Sequence, residues 1–242
     1  MKVKSPEVSI VVPTLNESRN INRLVALLDK AMGAMDWEII FVDDDSPDGT
    51  WQVAKAIARS DRRIRSIRRI DRRGLAGACI EGMLSSSAPY LAVMDADLQH
   101  DEKILPVMIA PLVSDEADLV IGTRMTKDKD HRFSAQRAEA SRIANWLGRF
   151  ALHTQISDPM SGFFTIKRST FEDMAPLLTA SGFKLLLDIL ATASPPLRIV
   201  EIPYSFRSRQ DGMSKFDARR RWSKLREWLN PVGFSIPRLI GA

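Results

Sequence analysis

Short apolar, β-branched runs return along this chain with helix-like segments between them, and that alternation is what most restricts its fold. The runs are Val8-Ser9-Ile10-Val11-Val12, Glu38-Ile39-Ile40-Phe41-Val42, Ile64 to Ile70, Tyr90 to Met94 and Asp118 to Ile121. Between them Ile21, Leu24, Val25, Leu28, Ala31, Met32 and Met35 recur at helical spacing, as do apolar residues in Thr50 to Ala58 and Leu75 to Leu84. Strands alternating with helices predict an α/β architecture with a mostly parallel central sheet and helices on both faces. In such sheets ligands bind beyond the carboxyl ends of the strands. The residues that follow each run therefore deserve the closest reading.

Three of those ends are polar and acidic. Pro13-Thr14-Leu15-Asn16-Glu17 follows the first run, Asp43-Asp44-Asp45-Ser46-Pro47-Asp48-Gly49-Thr50 the second, and Asp95-Ala96-Asp97-Leu98-Gln99-His100 a later one. Adjacent carboxylates in Asp43 to Asp45 repel unless they accept hydrogen bonds or face a cation. A turn with helix capping also suits Asp, Ser, Pro and Gly, so Asp45 to Gly49 is expected to turn the chain while Asp44 faces a ligand. Asp97 and Gln99 present oxygen donors of the kind that hard divalent cations select and share with substrate phosphates, which points to phosphate chemistry.

At 242 residues and 45% apolar composition the chain can bury a sizeable core. A single cysteine, Cys79, excludes an internal disulfide framework, and its apolar neighbours favour a buried structural thiol. His100, His131 and His153 are scattered without zinc-like spacing. No apolar stretch approaches the length of about 20 residues that spans a bilayer, and the start lacks a signal-peptide core. The chain is expected to act on the cytoplasmic side of a membrane, as a peripheral protein or one anchored by a region outside this sequence.

The net charge of +5 conceals two basic clusters, +6 over Arg59 to Arg73 and +5 over Arg207 to Glu227. Either is compatible with nucleic acid, anionic lipid or phosphate-bearing substrates, and the first also with a solvated face. In the second region several of Phe216, Trp222, Leu225, Trp228 and Leu229 share a helical face, flanked by Arg219, Arg220, Arg221, Lys224 and Arg226, as in an interfacial membrane helix or a core-packing helix with a basic outer side. A division into residues 1–215 and a C-terminal amphipathic segment 216–242 follows.

Seven segments in order carry a family resemblance: Val-Pro-Thr-x-Asn-Glu at 12 to 17, Val-Asp-Asp-Asp-Ser-Pro-Asp-Gly-Thr at 42 to 50, Met-Asp-Ala-Asp-Leu-Gln-His at 94 to 100, Gly-Thr-Arg at 122 to 124, Asp-Pro-Met-Ser-Gly-Phe-Phe at 158 to 164, Gly-Phe-Lys at 182 to 184 and Arg-x5-Lys at 209 to 215. Together they resemble the inverting family 2 glycosyltransferases of GT-A fold, and within them the dolichol-phosphate or polyprenyl-phosphate mannosyltransferases. The resemblance implies transfer of mannose from GDP-mannose to a polyprenyl phosphate lipid, with Mg²⁺ or Mn²⁺ as cofactor and no nucleic acid as partner. It places Pro13, Leu15 and Glu17 at the guanosine site, Val42 and Asp44 at base or ribose, Asp95 and Ala96 beside the nucleotide, and Asp97 with Gln99 on the metal. Arg124, Lys184, Arg209 and Lys215 match positions used around the donor diphosphate, the sugar and the acceptor phosphate. Asp97, Arg124, Arg209 and Lys215 would carry the catalysis. Leu15 stands where the family often has an aromatic residue, which reduces stacking on the base and keeps a UDP-sugar donor as an alternative. A non-catalytic lipid- or nucleic-acid-binding protein is the alternative of a different class.

Overall fold

The computed structural model describes residues 5–125, 156–180 and 185–207, with the side chain of residue 125 excepted. All lie in one compact unit, Met1–Gly212; the second unit, Met213–Ala242, contains none of them, so the expected C-terminal amphipathic helix lies outside the described residues.

Seven strands form one sheet: β1 (Val8–Thr14), β2 (Trp37–Asp43), β3 (Ile64–Arg68), β4 (Tyr90–Val93), β5 (Leu119–Met125), β6 (Phe164–Lys167) and β7 (Ile199–Ser205). Their order is β3-β2-β1-β4-β6-β5-β7. Every pairing is parallel except the two made by β6, which runs against β4 and β5. The expected mostly parallel α/β sheet is therefore present. Two strands, β6 and β7, were not anticipated from the apolar runs. β5 also extends past Ile121 because Gly122, Thr123 and Arg124 continue to pair with β7. β3 stops at Arg68, short of Ile70, and Asp71 turns the chain away at φ 57°.

Both faces of the sheet are covered, and successive residues divide between them. Val8, Ile10 and Val12 of β1 join Ile39 and Phe41 of β2 in one core, while Val11 joins Ile40 and Val42 in the other. This is the period of two expected of a strand buried on both sides. The first core is closed by α1 (Ser18–Met32), α2 (Thr50–Ser60) and α4 (Leu105–Val113), with Ile21, Leu24, Leu28 and Met32 of α1 buried at helical spacing. The second is closed by α3 (Leu75–Leu84), α5 (Arg168–Met174) and α6 (Leu185–Thr192). Cys79 on α3 is buried there, and burial pushes its thiol far above the usual range, as befits a structural residue.

Because β6 is reversed, its beginning lies at the same edge as the carboxyl ends of β1, β2, β3, β4, β5 and β7. Seven chain segments thus deliver residues to one rim.

Candidate active site

At the rim, the triple aspartate resolves into three carboxylates with three different sets of partners. Asp43 is fully buried and accepts hydrogen bonds from the Thr14 hydroxyl at 2.8 Å and from the Ser46 amide and hydroxyl at 2.8 and 2.6 Å. It organises the turn. Asp45, at φ 56°, pairs with Arg68 on the exposed side. Asp44 is buried between them; one oxygen meets Arg69 Nη1 at 2.6 Å and the other accepts the Gly74 amide at 2.7 Å. Burial raises the Asp44 pKa despite the opposing Gly74 hydrogen bond and Arg69 charge. Arg69 is itself buried, and Gly77 makes room for it: a Cβ there would lie 2.8 Å from Arg69 Nη2. Asp48 accepts the Thr50 amide and hydroxyl at the start of α2 and also the Ser18 amide, which ties the second acidic loop to the start of α1.

Beside it, Pro13 and Glu17 are buried and Leu15 is half-buried at the end of β1. Glu17 accepts a hydrogen bond from Asn20 at 2.7 Å and its amide donates to the Thr50 hydroxyl at 2.9 Å. Val42 is wholly buried, its side chain in the core beneath α3.

The loop after β4 is held on three sides. Asp97 accepts the Gln99 amide at 3.2 Å, an Asx-type turn that lets Leu98 adopt φ 62°. The Gln99 side-chain nitrogen donates to the Arg207 carbonyl at 3.1 Å, and the Arg207 amide returns a bond to the Gln99 carbonyl at 2.9 Å. Its amide nitrogen being so committed, the Gln99 side-chain oxygen points away from that carbonyl. The Arg207 guanidinium closes the arrangement on Asp101 and the buried Glu102, both at 2.6 Å. Below the loop, His100 is buried, stacks on Phe163 at 4.9 Å, and accepts the Asp95 amide on Nδ1 at 3.2 Å. Its Nε2 lies 3.9 Å from the Asp95 carboxylate, whose side chain is 41% exposed. Ala96 is buried beside it.

From the other side comes Arg124. Its Nε and Nη2 hold the two oxygens of buried Asp158 at 2.7 and 3.0 Å, a bidentate pair that fixes the guanidinium plane beside Phe206. Burial opposes the Arg124 charge, but the Asp158 bonds and charge raise its pKa above the ordinary value. The Asp158-Gly162 turn is knotted by Ser161, whose hydroxyl donates to the Gly122 carbonyl at 2.8 Å. Gly162 abuts the acidic loop, since a Cβ there would stand 3.1 Å from the Asp95 carboxylate.

Pro13, Leu15, Glu17, Asp44, Asp95, Ala96, Asp97, Gln99 and Arg124 thus all follow or end strands at one rim. Lys184, Arg209 and Lys215 lie outside the described residues. Asp188, on α6, accepts the Thr179 amide at 2.5 Å. Arg69, His100 and Arg207 were not singled out as site residues in the sequence. Arg69 and Arg207 were counted only within basic clusters, and their partners are distant in the chain.

Five of the eight arginines between 59 and 73 are committed to ion pairs within the fold. Arg63, Arg65, Arg68, Arg69 and Arg72 each reach a carboxylate, and Arg63 and Arg68 also cover Trp37 and Trp51. Among the described residues no helix is long and apolar enough to cross a membrane.

Asp97 and Gln99 make an oxygen-only donor pair, and no group of three or more His, Cys, Asp or Glu is arranged for a metal among the described residues. Such a pair fits a hard divalent cation that completes its shell with substrate phosphate and water, and does not fit zinc.

The glycosyl transferase family 2 pattern matches residues 9–175. The dolichol-phosphate mannosyltransferase of Pyrococcus furiosus is 36% identical over 97% of this chain and 69% of its own length. Those of Mycosarcoma maydis and Saccharomyces cerevisiae are 34% and 35% identical over 92% and 89% of the chain, covering 78% and 83% of theirs. In structure, glucosyl-3-phosphoglycerate synthase from Mycobacterium tuberculosis, solved with Mn²⁺, UDP-glucose and glycerol 3-phosphate, aligns with TM-score 0.68 at 17% identity, over 96% of this chain and 82% of that one. Its complex with Mg²⁺ and UDP aligns at 0.70 and 17% identity, over 96% and 81%. An acidic rim on a mostly parallel sheet, the family pattern over most of the chain and relatives of one kind lead to a single assignment: this chain is a glycosyltransferase of family 2 and belongs with the dolichol-phosphate mannosyltransferases.

Proposed function

We propose that this chain transfers mannose from GDP-mannose to a polyprenyl phosphate with inversion at the sugar carbon, using Mg²⁺ or Mn²⁺. The observation that carries the reading is the pinned Asp97–Gln99 loop, whose carboxamide oxygen is turned away from Arg207 while its nitrogen is held. Asp97 and Gln99 would hold the cation, which would supply positive charge against the departing diphosphate. Asp95 and Ala96 border the nucleotide, and Pro13, Leu15, Glu17, Val42 and Asp44 form its base and ribose side. Asp158 fixes the orientation of the Arg124 guanidinium, so that it presents its remaining donors to an anionic group.

The acceptor needs no general base. A lipid monophosphate has a second pKa of about 6 and arrives largely as the dianion at neutral pH. One of its oxygens attacks the anomeric carbon from the face opposite the diphosphate, the bond to GDP breaks with its electron pair, and an α-linked donor becomes a β-linked product. Arg124, Lys184, Arg209 and Lys215 offset the repulsion between the two phosphate-bearing substrates. The basic aromatic segment 216–242 would bring the enzyme to the membrane surface, on the cytoplasmic side, where the lipid resides.

Radiolabelled sugar should pass from GDP-mannose into an organic-extractable lipid when a prenyl phosphate is supplied, and the transfer should stop on chelation of divalent cations. Transfer from UDP-glucose in place of GDP-mannose would establish the alternative donor, and transfer from neither would sink the reading.

A further inference from the structure

Tyr204, the penultimate residue of β7, is 2% exposed, and its hydroxyl is buried with no hydrogen-bond partner among the described residues. Such a group is costly in a folded protein, because the water it gave up is not replaced. The ring itself is well held. It stands edge-on to His100 at 5.9 Å and to Phe163 at 5.4 Å, and its neighbour across the β5–β7 ladder is Arg124. Arg124, Asp158, Asp95 and Asp97 all act electrostatically on the hydroxyl. An unpartnered donor therefore belongs to a ring packed on His100, beneath the acidic loop, at the strand position paired with the arginine of the rim.

We propose that Tyr204 is a substrate-binding residue of the donor site, its hydroxyl donating a hydrogen bond to a phosphate oxygen of the bound nucleotide. Burial, reinforced by Asp158, Asp95 and Asp97, holds its pKa far above the usual phenol value although Arg124 acts the other way, so the group remains a proton-bearing donor at any working pH. A neutral donor suits a place where the loop carboxylates already face the nucleotide. It binds an anion without drawing them into competing ion pairs. The inference rests on the reading of the Asp97–Gln99 loop as the diphosphate side of the site.

Tyr204→Phe keeps the ring and removes the hydroxyl alone. Calorimetry with Mn²⁺ and GDP or UDP should show affinity about tenfold weaker, the usual result of losing a hydrogen bond to a charged group. Affinity for guanosine should be unchanged, and the ligand-free Tm unchanged or raised, since an unpaired buried polar atom has been removed. A fall of several degrees in the ligand-free Tm, or unchanged affinity for both diphosphates, overturns the inference. So does a loss confined to a short prenyl monophosphate, which would place the contact on the acceptor. Failure of the unmodified protein to bind either diphosphate sinks the proposed function itself, whereas normal binding that is indifferent to Tyr204→Phe sinks only this inference.

Discussion

The two edges of the sheet both carry arginine–carboxylate networks, built from the same side chains to different ends. At the amino edge of β5 and β7, Arg198 reaches Asp115 and Asp118, and Lys167, at the end of β6, reaches the same two acids. Arg198 is half exposed and Asp115 largely so. At the carboxyl edge, Arg69–Asp44 is almost fully buried, and Arg124–Asp158 and Arg207–Glu102 each sink the acid and leave the arginine about one-third exposed. Exposed pairs are screened and contribute little. Buried ones seldom add stability over an apolar substitute, yet they are costly to break. The amino edge fastens strand ends, while the carboxyl edge uses ion pairs to aim groups that a ligand would meet.

The largest effect that would sharpen this contrast is expected at the rim itself. Asp97→Ala or Gln99→Ala should reduce sugar transfer by about 100-fold or more, with a parallel loss of Mn²⁺-dependent nucleotide binding; retained transfer would remove the metal from this loop. Next, Arg69→Met leaves Asp44 buried without its counter-ion and should cost about 3 kcal/mol in denaturant unfolding. The Asp44 pKa is already raised by burial and would rise further. A carboxyl raised in the folded state loses its contribution as pH climbs through that pKa, so the deficit should be larger at pH 8 than at pH 5. Equal deficits would contradict the burial argument.

At the opposite edge, Arg198→Met should leave Tm nearly unchanged and transfer rates untouched. The smallest expected change concerns acid. Hydrogen bonds from Arg198 hold the Asp118 pKa well below the ordinary carboxylate value, so its contribution is present above about pH 4 and fades as pH falls toward the folded-state pKa. Asp118→Asn should flatten the decline of Tm below about pH 4, and an unaltered slope would assign acid sensitivity elsewhere.

What was legible in the sequence follows the same division. The runs that became β1, β2 and β4 and the helical spacing of Ile21, Leu24 and Leu28 depend on local periodicity, and they mark where a rim must form. Asp97, Gln99 and Arg124 could be placed there because each follows or ends such a run. Arg69 could not be separated from its seven neighbouring arginines, since its meaning depends on Asp44, one strand away across the β2–β3 pairing. β6 was missed because Phe164-Thr165-Ile166-Lys167 is only four residues long, too short for its alternation to stand out, and its partners β4 and β5 are distant in sequence. Tyr204 and His100 became informative only when strands distant in sequence put an aromatic cage under the acidic loop.

The Arg124–Asp158 pair also acts as a clasp. It joins the end of β5 to the turn just before β6, two points 34 residues apart in sequence. A link of that kind reduces the number of ways the two strands can meet, and so favours the one register in which Ile121 faces Phe164.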